Sequence, residues 1–421
     1  MVNASIITIG DELLIGQTID TNSAWMAQEL NKAGIWVKHR VAVGDVWDDI
    51  WDALDEESQR ADIIFITGGL GPTADDITKP LLCKYFNGKL VLDEKVLTHI
   101  KSLFEKVFRR PGPLLERNIK QAEVPDTCTV LHNERGTAPG MWFEKDKKVF
   151  ISLPGVPHEM KGLMLQEVLP RLKTHFTLPF ILHRTAFTAG MGESMIAEMI
   201  KDFESLLPPS IKLAYLPNYG MVRLRLTTSG FDKEKLESSL QAEFEKLKFL
   251  VRDILVADED KGLEEMLGIL LQAKGKTMAT AESCTGGYIA HLITSIPGSS
   301  AYFKGSIVSY ANEVKQNLLG VSTETLQSAG AVSEETVKQM LNGVIHALHV
   351  DYAVATSGIM GPDGGTPEKP VGTVWVAAGS KEKLVTKQFH FRFNRERNIE
   401  MTAQNAMNLL RKFILDVPEQ L

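Results

Sequence analysis

Cysteine is scarce in this chain of 421 residues: Cys83, Cys128 and Cys284 lie far apart, with no CxxC pair. That excludes a disulfide framework and points to a reducing compartment, expected to be the cytoplasm. The ten histidines are scattered, and none falls in an HExxH or paired-ligand spacing, which argues against a zinc site of the usual kinds. No basic run stands out and the net charge of −7 is mild, so no nucleic-acid partner and no membrane surface is expected. No window is long and apolar enough to span a bilayer. The opening MVNASIITIGDELL lacks a basic n-region and reads as a first core strand rather than a signal peptide. What is present is ordinary globular material: 44% hydrophobic and 24% charged residues allow sizeable cores. The length suggests about three domains at roughly 150 residues each.

The pattern along the chain predicts a small α+β connector between two larger α/β domains. In the first domain (1–176) strands at Ser5–Ile9, Trp36–Val43, Asp62–Thr67 and Val149–Leu153 alternate with helices at Asn22–Ala33, Asp48–Arg60 and up to Arg171. Such alternation argues for a parallel sheet covered on both faces, a three-layer α/β/α build. The connector (177–258) reads strand, helix, strand, strand, helix, strand. Its Arg223 and Arg225 alternate with Leu224 and Leu226, as on the solvated face of a strand. The third domain (259–421) returns to α/β, with strands at Gly305–Tyr310, Asp351–Thr356, Thr373–Ala378 and Val385–Phe391 and a closing helix Arg395–Leu415.

Two turns carry chemistry. In the third domain Ala279–Gly287 reads ATAESCTGG: an apolar strand, a tight turn with two hydroxyls and a thiol, then a helix start. Glycines there let the backbone approach a ligand, and a helix N-terminus supplies free N–H groups. The geometry suits a nucleophile with its oxyanion hole or a phosphate cradle. In the first domain Thr67–Thr78 reads TGGLGPTADDIT. Successive N–H groups around Gly68, Gly69, Gly71 and Thr73 would form an anion-binding nest. Asp75 and Asp76, with Asp11 and Glu12 from another strand end, concentrate carboxylates beside it. A divalent cation such as Mg²⁺ would reconcile those carboxylates with a phosphate and could activate water.

The elements Ile9–Leu14 (IGDELL), Asp20-Thr21-Asn22, Thr67–Thr78, Gly136–Gly140 (GTAPG) and Pro154–Met160 (PGVPHEM) resemble the molybdopterin-binding-like domain of the CinA (competence/damage-inducible) proteins. The third domain continues the match, so the resemblance covers essentially the whole chain. For the first domain it implies metal-dependent hydrolysis of ADP-ribose to AMP and ribose 5-phosphate, or else nucleotide or pterin binding without turnover. For the third it implies a nicotinamide-nucleotide amidohydrolase, which converts nicotinamide mononucleotide to nicotinic acid mononucleotide and ammonia without a cofactor.

Three blocks carry that second resemblance: Ala279–Gly287, Ser309–Lys315 (SYANEVK) and Ser357–Thr373 (SGIMGPDGGTPEKPVGT). The family's functional Ser, Tyr and Lys fall on Ser283, Tyr310 and Lys315. Ser283 is the expected nucleophile and Lys315, if desolvated, its base, with Tyr310 relaying a proton or orienting the lysine. Cys284 is a rival nucleophile, although as the neighbour of Ser283 on a turn it should point into the core. Thr285, Gly286 and Gly287 are expected to offer donors to the oxyanion or substrate phosphate. Ser357, Gly358, Gly361, Gly364, Gly365 and Thr366 are expected to wrap the ribose phosphate. Met360 is bulkier than the small residue common there in the family. Arg395 and Arg397, poorly placed for the dipole at a helix start, are candidate phosphate contacts, Arg397 being taken into the expected substrate set. A homodimer is expected.

Overall fold

The computed structural model describes residues 2–73, 76–107, 109, 113–218, 220–259 and 261–417. Chain contacts divide it into two compact units, Met1–Leu182 with Thr228–Ser238, and His183–Thr227 with Ser239–Leu421.

The first unit is built on a six-stranded sheet: β1 (Asn3–Ile9), β2 (Trp36–Val43), β3 (Ile63–Thr67), β4 (Thr129–Leu131), β5 (Gly140–Lys145) and β6 (Lys148–Leu153), in the order β2-β1-β3-β6-β5-β4. Alternation along β3 decides the layering. Ile63 and Phe65 join Met26 and Leu30 of the helix Thr21–Lys32 in one core, while Ile64 and Ile66 join Ile50 and Leu54 of the helix Trp47–Arg60 in the other. Two opposite apolar faces make the sheet the middle of three layers. The expected parallel sheet holds for β2, β1, β3 and β6, whereas β4, β5 and β6 pair antiparallel at the edge. The cause is local: only Asp146 and Lys147 separate β5 from β6, and both have positive φ (52° and 63°). That is the twist of a two-residue hairpin, which no crossover helix can replace.

Next in the chain comes a four-stranded sheet, β7 (Phe180–Ala189), β8 (Ile211–Asn218), β9 (Met221–Gly230) and β10 (Leu255–Ala257), ordered β8-β9-β7-β10. Phe187, Met221 and Val256 from these strands enter the same core as Leu263, Leu267 and Leu271 of the following helix. The arginines of β9 are not a solvated face. Both are half-buried, and the Arg223 guanidinium lies 4.8 Å over the Phe187 ring.

The rest of the second unit carries a five-stranded sheet: β11 (Met278–Glu282), β12 (Phe303–Val308), β13 (Tyr352–Gly358), β14 (Thr373–Gly379) and β15 (Leu384–His390), in the order β12-β11-β13-β14-β15. The first three strands are parallel and the last two antiparallel. Again alternate residues separate two cores. Met278 and Val354 pack with Ala406 and Met407 of the helix Arg395–Leu415, whereas Ala279, Ala281, Ala353 and Ala355 pack with Val337, Leu341 and Val344 of the helix Glu334–Leu348. Ser333 caps that second helix by accepting from the Thr336 N–H.

Small residues on one sheet face let the helix Glu334–Leu348 sit close, and Gly343 lets it meet a further helix, Asn312–Leu319. A Cβ on Gly343 would stand 2.0 Å from the Leu319 carbonyl oxygen. Gly343→Ala must therefore push the two helices apart and is expected to destabilise the fold by about 1–3 kcal/mol. The check is a denaturant titration; an unchanged midpoint would refute this packing.

Candidate functional site

Parallel strands β11, β12 and β13 all point their carboxyl ends at one edge of the second sheet, where ligands of such folds bind. Ser283 follows β11 directly, its N–H donating to the Thr356 carbonyl on β13 at 3.0 Å. Gly286 and Gly287 then take positive φ (62° and 96°), which turns the chain into the helix Tyr288–Thr294. Ser309 and Tyr310 follow β12, and the helix Asn312–Leu319 brings Lys315 back beneath them.

Together these segments line a cavity of about 210 Å³, with Ser283, Cys284, Tyr310, Lys315, Ser357 and Arg395 among its walls. The volume is below the range of ~300–1,000 Å³ that holds whole drug-sized ligands, so it suits a ring-sized fragment. Three blocks distant in the sequence thus meet as expected at one place. Lys315 is 1% exposed, and its ammonium nitrogen donates to the carbonyls of Ser309 (2.7 Å) and Tyr310 (3.3 Å). Burial holds its pKa below the ordinary lysine value. Cys284 is buried among the core residues, and burial pushes its thiol up to about 12. A thiol so placed is almost wholly protonated at neutral pH. Tyr310 is exposed, and its hydroxyl accepts from Arg395 Nη2 at 2.9 Å. Its contact with Lys315 runs through the backbone carbonyl, not the phenol.

Several expected donors prove to be occupied. The Thr285 hydroxyl meets Glu282 (2.8 Å) and Thr356 (2.9 Å), Gly286 N–H donates to the Ser283 carbonyl, and Gly287 N–H donates to Glu282. The helix start is filled by the chain's own carboxylate, so the expected cradle there is closed. At the end of β13, Ser357 and Gly358 line the cavity, and Ser357 Oγ donates to the Ala331 carbonyl. Gly361, Gly364, Gly365 and Thr366 do not line it. They shape the loop after β13: a Cβ on Gly361 or Gly365 would strike Val371, and Thr366 closes a turn with Lys369. Arg397 also lies off the cavity, its guanidinium stacked 4.2 Å over the Phe393 ring. Arg395 is the cation at the site, donating to the Gly361 carbonyl (2.8 Å) as well as to Tyr310. Sequence reasoning gave no role to Glu282, although an acid ending an apolar strand before a helix start was a readable signal. Asn312, inside the block Ser309–Lys315 but given no role, also lines the cavity, as does the Ala331-Val332 segment, which carried no sequence signal.

In the first unit the loop after β3 is closed on itself. A Cβ on Gly68 would meet the Ile9 carbonyl at 2.3 Å, and one on Gly69 the Thr78 hydroxyl at 2.1 Å. Gly68 N–H donates to the Leu153 carbonyl, while the N–H groups of Gly71 and Thr73 both donate to Asp76 (2.7 and 2.8 Å). The nest is thus filled from within the chain. Asp76 also takes the Thr73 hydroxyl, and Asp11 takes the Asp45 N–H at 3.2 Å. Asp75 lies outside the described residues. Among the described residues no three Asp, Glu, His or Cys come together as metal ligands, and Asp75 of the expected set is not among them. Glu12 instead lines a small cleft with Asp20, Asn22, Thr67 and Gly155. The Asn22 side-chain oxygen is buried there with no donor among the described residues.

No helix among the described residues is long and apolar enough to cross a membrane. The family described as CinA C-terminal domain matches residues 260–414, the probable molybdopterin binding domain family matches 5–174, and the damage-inducible protein CinA KH domain family matches 183–255. A CinA-like protein of Cytophaga hutchinsonii is 48% identical over 416 residues, covering 99% of each chain. Another from Flavobacterium psychrophilum is 46% identical, covering 98% of this chain and 99% of its own. Among solved structures, a competence/damage inducible protein from Agrobacterium tumefaciens is 38% identical over 36% of this chain and 95% of its own, with a TM-score of 0.35. Identity near one half along the full length leaves one assignment: the chain belongs to the CinA family of competence/damage-inducible proteins.

Proposed function

We propose that the second unit hydrolyses the amide of nicotinamide mononucleotide, giving nicotinic acid mononucleotide and ammonia. The observation that carries this reading is a desolvated lysine and a serine on the walls of one ring-sized cavity. A neutral amine has two N–H bonds and one lone pair. With the carbonyls of Ser309 and Tyr310 taking the two hydrogens, the lone pair of Lys315 is left for the cavity. Ser283 Oγ attacks the amide carbon while Lys315 takes its proton. Collapse of the tetrahedral intermediate breaks the C–N bond, and Lys315 returns the proton to the departing nitrogen as ammonia forms. Water then attacks the acyl-serine, again through Lys315, releasing the carboxylic acid and restoring Ser283. The N–H groups of Cys284 and Thr285, next after the serine, are positioned in sequence as oxyanion donors. Arg395 at the cavity edge meets the ribose phosphate that remains outside. Such a reaction uses no cofactor, and the reading sets it in the cytoplasm.

For the first unit we propose a cleft that binds a nucleotide or pterin, the buried Asn22 oxygen being the acceptor that a ligand N–H or hydroxyl satisfies. ADP-ribose is the ligand to try first.

With nicotinamide mononucleotide supplied, ammonia release is expected from the purified protein, and Ser283→Ala should reduce it at least about a thousandfold. Cys284→Ala should keep most of the turnover; the reverse pattern would make the thiol the nucleophile. Because Lys315 must be neutral to accept a proton, kcat/KM should rise with pH through a midpoint below the ordinary lysine pKa. Lys315→Met should abolish that limb, and a profile unchanged by the substitution would remove the lysine from the mechanism.

Losing a charged hydrogen bond worth ~1.5–3 kcal/mol, Arg395→Met should raise KM about 10–100-fold. Arg397→Met should leave KM near that of the parent. Equal effects of the two, measured by steady-state kinetics, would contradict the assignment of Arg395.

In the first unit, ADP-ribose should bind in the presence of a chelator, as read by calorimetry. AMP release that appears only with an added divalent cation would overturn binding without turnover and bring Asp11, Glu12, Asp75 and Asp76 back as a metal set.

A further inference from the structure

Glu282 ends β11 with 0% exposure, and no lysine, arginine or histidine pairs with it among the described residues. A bare carboxylate so placed would be far too costly to keep. Six donors surround it instead. Oε1 accepts from the hydroxyls of Thr280 (3.0 Å) and Ser306 (3.4 Å) and from the Ala290 N–H (2.9 Å). Oε2 accepts from the Thr285 hydroxyl (2.8 Å) and the N–H groups of Gly287 (3.0 Å) and Ile289 (3.1 Å). The donors lie on both sides of the turn that bears Ser283. Thr280 precedes it on the strand, Thr285 is part of it, and Gly287, Ile289 and Ala290 open the next helix. One carboxylate thus fixes the separation between strand end and helix start, and with it the course of the four residues between them.

We propose that Glu282 is the positioning residue of the nucleophile turn. It holds Ser283 in its attacking orientation without touching substrate, an inference that rests on the serine reading above. Because its charge also fills the helix start, that end repels a ligand phosphate. The anionic part of the substrate is thereby directed to Arg395.

A fluorophosphonate tests the turn without any nicotinamide substrate. Ser283 Oγ forms a bond to phosphorus, fluoride leaves with the P–F electron pair, and Lys315 takes the hydroxyl proton. The adduct is followed by intact mass. Glu282→Gln turns an amide NH₂ against N–H donors, and is expected to slow labelling at least about tenfold, as small misplacements of a nucleophile do. Thr285→Val, a milder change that cuts the tie on the turn side, should slow labelling several-fold and keeps the test open should Glu282→Gln fail to fold. Thr280→Val cuts a bond of the same kind on the strand side and should lower the melting temperature with less effect on labelling than Thr285→Val. Rates equal to the parent in both Glu282→Gln and Thr285→Val would overturn the inference alone, as would an equal slowing by Thr280→Val and Thr285→Val. A parent protein that takes no label at Ser283 would overturn the serine reading, and this inference with it.

Discussion

A carboxylate buried without a cation organises the second unit's functional edge. Glu282 exists there only because three backbone N–H groups and three hydroxyls converge on it. Those donors come from β11, from β12 through Ser306, from the turn and from the helix after it. Satisfying one charge therefore ties four pieces of chain together. A loop held only by its own backbone would move; this one is anchored at both ends by a group that cannot leave without stranding its donors in the core.

Lys315, on the wall of the cavity, is a second buried ionisable side chain of this unit. It too has no ion-pair partner among the described residues and is held by carbonyls. Each is met by hydrogen bonds of the chain itself, Glu282 by donors and Lys315 by acceptors. An acid paired with Lys315 would hold its ammonium form and oppose the lowering of its pKa that burial brings.

The two glycine-rich turns looked alike in sequence and differ in space. In TGGLGPTADDIT the glycines make room for the chain itself, against the Ile9 carbonyl and the Thr78 hydroxyl, and Asp76 gathers the loop's N–H groups. In ESCTGG nothing lies within 4 Å of a Cβ on Gly286, so that glycine answers to φ alone and leaves open space beside the turn. Residue type and order announced a tight turn in both cases. Which neighbour fills the space depends on contacts distant along the chain, and those carry no local pattern. The same limit explains the sheets. Strand positions such as Trp36–Val43 and the helix Arg395–Leu415 were legible from periodicity, but the antiparallel edges were not. Asp146-Lys147 lacks the glycine that usually marks a two-residue hairpin.

Arg395 shows how a site residue becomes legible once topology is known. In the ladders Gly358 pairs with Val374 and Thr373 with His390, so the end of β13, the start of β14 and the end of β15 share one edge. That edge is where Ser283 sits after β11, and the helix that begins at Arg395 must therefore start beside it. Helical geometry then separates the two arginines. At 3.6 residues per turn, positions two apart differ by roughly 200°, so they project from nearly opposite sides of the helix. Only one can face the cavity. Arg395 reaches back to Gly361 and Tyr310, while Arg397 turns to the Phe393 ring. Periodicity argues against the pair acting together, although both were candidates in the sequence, and the strand register says which of the two faces the cavity.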